Sequence, residues 1–287
     1  MRSILPVLVV LAAIVALWYA GSVWLNSQWT YDQAARAEVE VSLAEVLADT
    51  MVQERPVLPA PHQVAAGLWE GLFGQKITSK RSLVYHGWVT LSATLVGFAI
   101  GTGLGILLAV GIVHNRAMDM SVMPWAIASQ TIPILAIAPM VIVVLASVGV
   151  TGLLPKAVIS AYLSFFPVVV GMVKGLRSPD GMQLDLLRTY NASPVATLWK
   201  LRLPASMPFL FASLKVSMAA SLVGAIVGEL PAGATAGLGA RLLSGSYYGQ
   251  TIQIWAALFA AAILAAGLVV VIGGIEKATL KRMGMGR

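Results

Sequence analysis

Six apolar runs, at about residues 4–25, 84–113, 122–147, 154–176, 209–230 and 250–273, limit what this chain can fold into. Each is long enough for the roughly 20 residues a helix needs to cross a bilayer. Inside hydrocarbon the backbone must satisfy its own hydrogen bonds, which leaves only helices or a closed barrel. None of the runs alternates with the period of two that a barrel strand requires. The expected fold is therefore an all-α integral membrane protein with about six transmembrane helices. Composition agrees: 58% of the residues are hydrophobic, 11% are charged and the mean hydropathy is +0.84, far from a soluble domain. With no cysteine, the chain has neither a disulfide framework nor a thiolate metal site.

The first run follows Met1 and Arg2 and continues through Trp18, longer than the core of a usual signal peptide. It is read as a retained helix, with Trp18, Tyr19 and Trp24 as interfacial anchors. Ala20-Gly21-Ser22 leaves cleavage open as the alternative. Residues 32–54 are acidic with near-helical apolar spacing, and Arg55-Pro56 through Pro61-His62 then break the chain. Residues 63–74 read as an amphipathic helix whose Val64, Leu68, Trp69, Leu72 and Phe73 can lie on a membrane surface.

Six spans place both termini, the 114–121 loop and the 177–208 loop on one side. That side carries twelve Lys and Arg against four acids, a net of +8; the other carries seven against eight, a net of −1, which together give the formal +7. The basic side is expected to be cytoplasmic. Because the bases are scattered over helix ends, the positive charge reads as topology and not as a nucleic-acid footprint.

The polar, basic segment 178–204 interrupts this apolar pattern. Ser178 is placed to cap a first helix, with Pro179 at its first position, and Asp180 and Asp185 at the end that favours acids. Asn191 stands where a left-handed turn is wanted. A second short helix is expected from about Pro194 to Leu203, stopping at Pro204, and Leu184, Leu187, Tyr190 and Leu198 form the apolar side of the pair.

This segment resembles the cytoplasmic coupling loop of permease subunits of bacterial type I ABC importers. Their pattern is Glu-Ala-Ala, three residues, Gly, about nine residues, then hydrophobic-x-Leu-Pro. Asp185 stands for the Glu, Leu186 and Leu187 for the alanines, Asn191 for the Gly, and Leu201-Arg202-Leu203-Pro204 closes the motif. The acid, the turn and the Leu-Pro match; the small alanines and the glycine do not. Leu58-Pro59-Ala60-Pro61 resembles the Leu-Pro-Ser-Pro segment of the nitrate/taurine/sulfonate-type permeases, and the likeness continues in Gln130 through Pro139 and Phe165-Phe166-Pro167-Val168.

The resemblance implies the type I importer permease fold, with an anchor and periplasmic segment over 1–82, a core over 83–276 and a basic tail over 277–287. It implies a bacterial inner-membrane subunit with both termini cytoplasmic, two copies of a cytosolic ATP-binding subunit, a second permease copy in a homodimer and a periplasmic substrate-binding protein. Asp185, Leu186, Leu187, Tyr190, Asn191, Leu198, Leu203 and Pro204 would meet the ATPase. ATP and Mg would be bound by that partner, with no cofactor in this chain. The expected substrate is a small anion such as nitrate, sulfonate or taurine, or a vitamin-precursor ring. An ion-coupled secondary transporter and a non-transporting scaffold are the alternatives.

Gly97, Gly101 and Gly105 recur every four residues, as do Gly224 and Gly228, a spacing that lets helices approach closely in a bilayer or build a subunit interface. Pro133, Pro139 and Pro167 free backbone groups inside spans and make those helices pathway or gate candidates. Glu229 is the acid nearest a span; it either belongs to a gate or plays a structural part, capping or pairing with Arg241. Tyr247 and Tyr248 line an outer gate or anchor at the interface. His86 is expected at the surface, and His62, His86 and His114 lack metal-ligand spacing. No hydrolase elbow, zinc helix or P-loop occurs, so energy must come from elsewhere.

Overall fold

The computed structural model describes residues 4–231 and 234–285, and every regular element among them is helical. The helices are α1 (Ile4–Ala37), α2 (Leu43–Thr50), α3 (Pro61–Trp69), α4 (Leu83–His114), α5 (Arg116–Ser129) and α6 (Ile134–Ser147). They continue with α7 (Leu153–Leu176), α8 (Gly181–Thr189), α9 (Pro194–Thr197), α10 (Leu203–Gly228), α11 (Leu238–Tyr247) and α12 (Thr251–Arg282). Five helical stretches, α1, α4, α7, α9 with α10, and α12, are long and apolar enough to span a membrane.

The third apolar run departs from the expected single span. It is the pair α5 and α6, bent by 99°. The break falls at Pro133, which cannot donate a backbone hydrogen bond and pushes the residue before it out of helical geometry. Proline alone does not decide the matter: Pro167 sits inside α7 without ending it.

The chain divides into two compact units, Met1–His86 with Ala240–Ala261, and Gly87–Gly239 with Ala262–Arg287. In the first unit α1 runs twelve residues past the expected end at 25, to Ala37. The proline-rich strap lies along it because the buried Asn26 side chain reads its backbone. Asn26 Nδ2 donates to Leu58 O at 2.8 Å, and Oδ1 accepts from Val57 N at 2.8 Å and Leu58 N at 3.1 Å. Such a double bond satisfies backbone that has no helix or sheet to join. Gln53 and Thr30 close on Asp49, and the Thr30 hydroxyl, then the Gln53 amide, hold its carboxyl below the usual range.

Two expectations change here, at Val64 and His86. Trp18 has partners within the unit: its Nε1 donates to Pro59 O at 3.0 Å, and its ring packs 5.0 Å from Trp255 and 5.9 Å from Phe259. Tyr19 likewise stacks on His62, while Trp24 stays exposed. Val64 faces inward and is buried. His86 is not a surface residue; α4 begins three residues before it, and its Nε2 lies 2.9 Å from Lys80 O.

In the second unit α7 is the central helix, with α4 and α10 against it. Alanine side chains built at Gly97 and Gly101 of α4 would sit 2.4 Å from Ser160 Cβ and 2.1 Å from Ser164 Oγ of α7. One at Gly224 of α10 would sit 2.6 Å from Ser160 Cα, and one at Gly171 of α7 would meet Ser213 Cβ at 2.5 Å. The glycine stripes therefore serve packing inside the bundle. The serines bond across the same seams: Ser160 to Ser221 at 2.6 Å, Ser221 to Thr94 O at 2.9 Å and Ser217 to Ser164 O at 2.6 Å. An apolar cluster around Val168, Val169, Met172 and Leu176 fills the half of this unit next to the 178–204 segment.

Gly224→Ala forces a methyl group into backbone and is expected to destabilise the bundle by about 1–3 kcal/mol, the usual cost of overpacking. A methyl at Gly103 meets nothing within 4 Å, so Gly103→Ala is expected to be neutral or to stabilise by about 0.5–1 kcal/mol. Thermal melts of both variants in detergent check the sign difference.

Candidate functional site

The polar segment 178–204 is built by two caps and a change of helical pitch. Asp180, not Ser178, is the residue before the first turn of α8, and its N–H donates to the Gln183 side chain at 3.3 Å. Ser178 instead bonds back to Gly175 O at 2.7 Å, closing the end of α7. Asn191 is left-handed, with φ of 52°. Its N–H donates to Arg188 O at 2.9 Å and that of Ala192 to Leu187 O at 2.9 Å, the paired bonds that end a helix around a left-handed residue. Ser193 then caps α9 through Ala196 N at 3.2 Å.

Pro204 does not stop the second helix. Residues Leu198–Arg202 form a π-helical turn, and Leu203 N–H reaches back to Leu198 O. A proline at 204 would clash with the carbonyl four residues earlier in a regular helix; the wider turn removes that conflict. Pro194–Gly228 is consequently one helical stretch of 35 residues. Its base is tied down. Arg202 Nη1 donates to Leu176 O at 2.9 Å, satisfying the end of α7, and Arg177 pairs with Asp119 of α5 at 2.8 Å.

The side chains sort differently from the expected apolar side. Leu198 and Leu203 pack against the core cluster around Val168 and Met172, and Leu184 and Leu187 are half-buried. Of the expected set only Tyr190 is fully outward. The exposed apolar face consists of Met182, Leu186, Tyr190, Val195 and Trp199. Asp185 is exposed and its carboxylate is taken by Arg188 of the same helix at 3.1 Å.

At the far end of α10, Glu229 is fully buried. Thr90 Oγ1 of α4 donates to it at 2.9 Å and Gly239 N–H at 2.9 Å, with Lys156 Nζ of α7 at 3.7 Å. Lys156 also donates to Ala236 O at 3.0 Å, and Leu238 N–H to Thr90 Oγ1 at 2.9 Å. The basic group beside the acid is therefore Lys156, where Arg241 had been expected. Gly237 makes the wrap possible: its φ is 123°, and a Cβ there would lie 2.1 Å from Glu229 Cδ. Thr90, Lys156 and the Gly237 to Gly239 turn were missed from sequence; the signal available was an acid ending a span, followed by glycines at 237 and 239.

Beside this knot lies a cavity of about 560 Å³ lined by Trp88, Ser92, Ile142, Lys156, Gly228 and Pro231 among others. Ala138, one residue before Pro139, packs with Ile159 and Val227, so the bent segment after Pro133 meets α7 and α10. Pro167 stays within α7, remote in sequence from that contact. Tyr247 and Tyr248 belong to the first unit, at the end of α11, and both are exposed. Among the described residues, no three His, Cys, Asp or Glu side chains come together in a way that could hold a metal.

Residues 101–284 match the family described as binding-protein-dependent transport system inner membrane component. The chain belongs to that family. A probable ABC transporter permease protein of Haemophilus influenzae is 31% identical over 163 residues, which cover 57% of this chain and 62% of that protein. The riboflavin transport system permease protein of Chloroflexus aurantiacus is 29% identical over 221 residues, 77% of this chain and 78% of that one. The formylaminopyrimidine transport permease protein of Halalkalibacterium halodurans is 30% identical over 58% of this chain and 63% of its own length. The fold is shared with the MetNI methionine ABC transporter in an inward-facing conformation, with a TM-score of 0.51 and 18% identity over 77% of this chain and 96% of that one.

In this inner membrane component the Glu229 knot is expected to hold the C-terminal end of α10. Glu229→Ala removes the counter-charge of Lys156 and the acceptor of Gly239 N–H, and removing one partner of a buried pair costs roughly 3–5 kcal/mol. Gly237→Ala should destabilise comparably through strain and collision, and Glu229→Gln less, because an acceptor of similar size remains. Unfolding in detergent micelles measures all three; a wild-type melt for Gly237→Ala would contradict this geometry.

Proposed function

We propose that this chain is the transmembrane subunit of an ATP-driven importer, forming the translocation pathway for a small solute delivered by a periplasmic binding protein. The observation that carries the proposal is the exposed apolar face of α8 and α9, continuous through a π-helical turn with a membrane-length helix. A solvated connector has no use for exposed Met182, Leu186, Tyr190, Val195 and Trp199. A cytosolic ATPase with a matching groove does. In this reading the partner binds ATP and Mg and hydrolyses the nucleotide, two ATPase copies serve two permease copies, and both termini are cytoplasmic as the basic bias directs.

Motion of α9 is passed to α10, whose 26 residues extend about 39 Å at 1.5 Å per residue. The displacement arrives at the cavity beside Lys156 and Glu229 and at the bent α5–α6 pair, which act as the gate. The substrate is a vitamin or pyrimidine-type ring, the cargo class in the names of two of the relatives above, or a small anion such as a sulfonate, with selectivity supplied largely by the binding protein. A proton-coupled carrier would need several buried titratable side chains along a path. Among the described residues Glu229 is the one buried carboxylate, and it is fully engaged.

Leu186→Glu and Trp199→Glu are expected to weaken co-purification of the ATPase by roughly 10- to 100-fold, since burying one such side chain is worth about 1.5–3 kcal/mol. Asp185→Ala should cost far less, because an exposed pair contributes only about 0–1 kcal/mol. Wild-type assembly and substrate-stimulated ATP turnover in Leu186→Glu, or ion-gradient-driven uptake by vesicles holding this chain alone, would refute the importer reading.

A further inference from the structure

The first unit contains a cavity of about 600 Å³ that the transport reading does not use. Three arginines line it: Arg55 from the proline strap, Arg81 before α4, and Arg241 on α11. Glu54 and Glu70 also stand on its wall, yet among the described residues neither lies within ion-pairing distance of these arginines. Two buried donors in the lining, Arg241 Nε and Gln253 Nε2, have no hydrogen-bond acceptor among the described residues. Burial, and then the nearby charge of Arg81, hold the Arg241 guanidinium below its ordinary range. Cations that crowd one another, with buried donors left over, are stabilised by an anion that offers several oxygens at once.

The segment that forms the cavity wall also identifies the source of that anion. Gly67, Glu70 and Gly71 belong to α3 and the π-helical turn Glu70–Gly74 that follows it. The same short stretch displays Trp69 and Phe73, each 67% exposed, with ring centroids 4.5 Å apart. An exposed aromatic pair on an amphipathic segment settles at the headgroup level of a bilayer. Such a placement puts the arginine-lined opening at the depth where lipid phosphates lie, and basic pockets at that depth bind anionic headgroups. We propose that this cavity is a binding site for the phosphate of an anionic phospholipid, held by Arg241, Arg81 and Gln253 with the Trp69–Phe73 pair at the acyl boundary.

The full-length protein, purified in detergent, is titrated with phosphatidylglycerol and with phosphatidylcholine, and bound lipid is counted by native mass spectrometry. One phosphatidylglycerol should be retained roughly tenfold or more tightly than phosphatidylcholine, the size expected for a charge-assisted contact. Arg241→Gln should remove that preference. Arg81→Gln, at an exposed position, should reduce it without any risk to folding, and Lys76→Gln, outside the cavity lining, should leave it unchanged. Equal retention of the two lipids would overturn the proposal. So would displacement of the lipid by millimolar inorganic phosphate, which would make this a free-anion site. An unchanged preference in both arginine variants would overturn it as well.

Discussion

The close approach of α7 to α4 and α10 is the constraint on which the second unit depends. Glycines at 97, 101 and 224 remove the side chains that would hold these backbones apart, and Ser160, Ser164, Ser217 and Ser221 then bond across the seams. In hydrocarbon the hydrophobic effect does not drive helices together, so dispersion between close-fitting backbones and hydroxyl-to-carbonyl bonds must do so. A seam of this kind tolerates neither added methyl groups nor sliding by a fraction of a turn. It makes α7 and α10 a single stiff element.

Stiffness is what a transmitted displacement requires. At one end, α9 enters α10 without a break, and Arg202 fastens the junction to the end of α7. At the other end the Glu229 carboxylate gathers Thr90 from α4, Lys156 from α7 and the Gly239 amide. A buried charge is costly unless paired and hydrogen-bonded, so this knot has one well-satisfied arrangement and few near alternatives. By contrast the α5–α6 pair is broken at Pro133 and bent by 99°, so it has no continuous backbone ladder to match that of the α9–α10 stretch. In the importer reading proposed above, force arriving at Leu186 or Trp199 would travel along this pair to the cavity beside Lys156.

Much of this was legible in the sequence where a residue's local preference also satisfies the fold. Run lengths located five of the spans, Asn191 announced its left-handed turn and the glycines their close approach, whereas Pro133 read only as a kink in a single span, like Pro139 and Pro167, and is the one at which the helix breaks. Elsewhere long-range contacts overrode the local signal. Trp18 gives no local sign of Trp255 and Phe259, its ring partners more than two hundred residues later. Pro204 looks like a helix stop because the π-helical turn that accommodates it has no composition signature. Leu187 and Leu198 carry the same apolar signal as Leu186 and Trp199, and only tertiary packing separates the inward pair from the outward one. Glu229 was visible as an unusual acid, but its partners come from three distant segments, and no spacing rule connects Thr90, Lys156 and Gly239.

The central claim is that α9 and α10 move as one lever. Because the chain has no cysteine, spin labels can be placed at Val195→Cys and Val223→Cys, both at exposed positions, about 42 Å apart along a continuous helix. Pulsed electron–electron distance measurements on the assembled transporter, with and without ATP, read the separation directly. The account predicts one narrow distance distribution that is unchanged by nucleotide. A nucleotide-dependent shift or a second population would make the π-helical turn a hinge and contradict the lever.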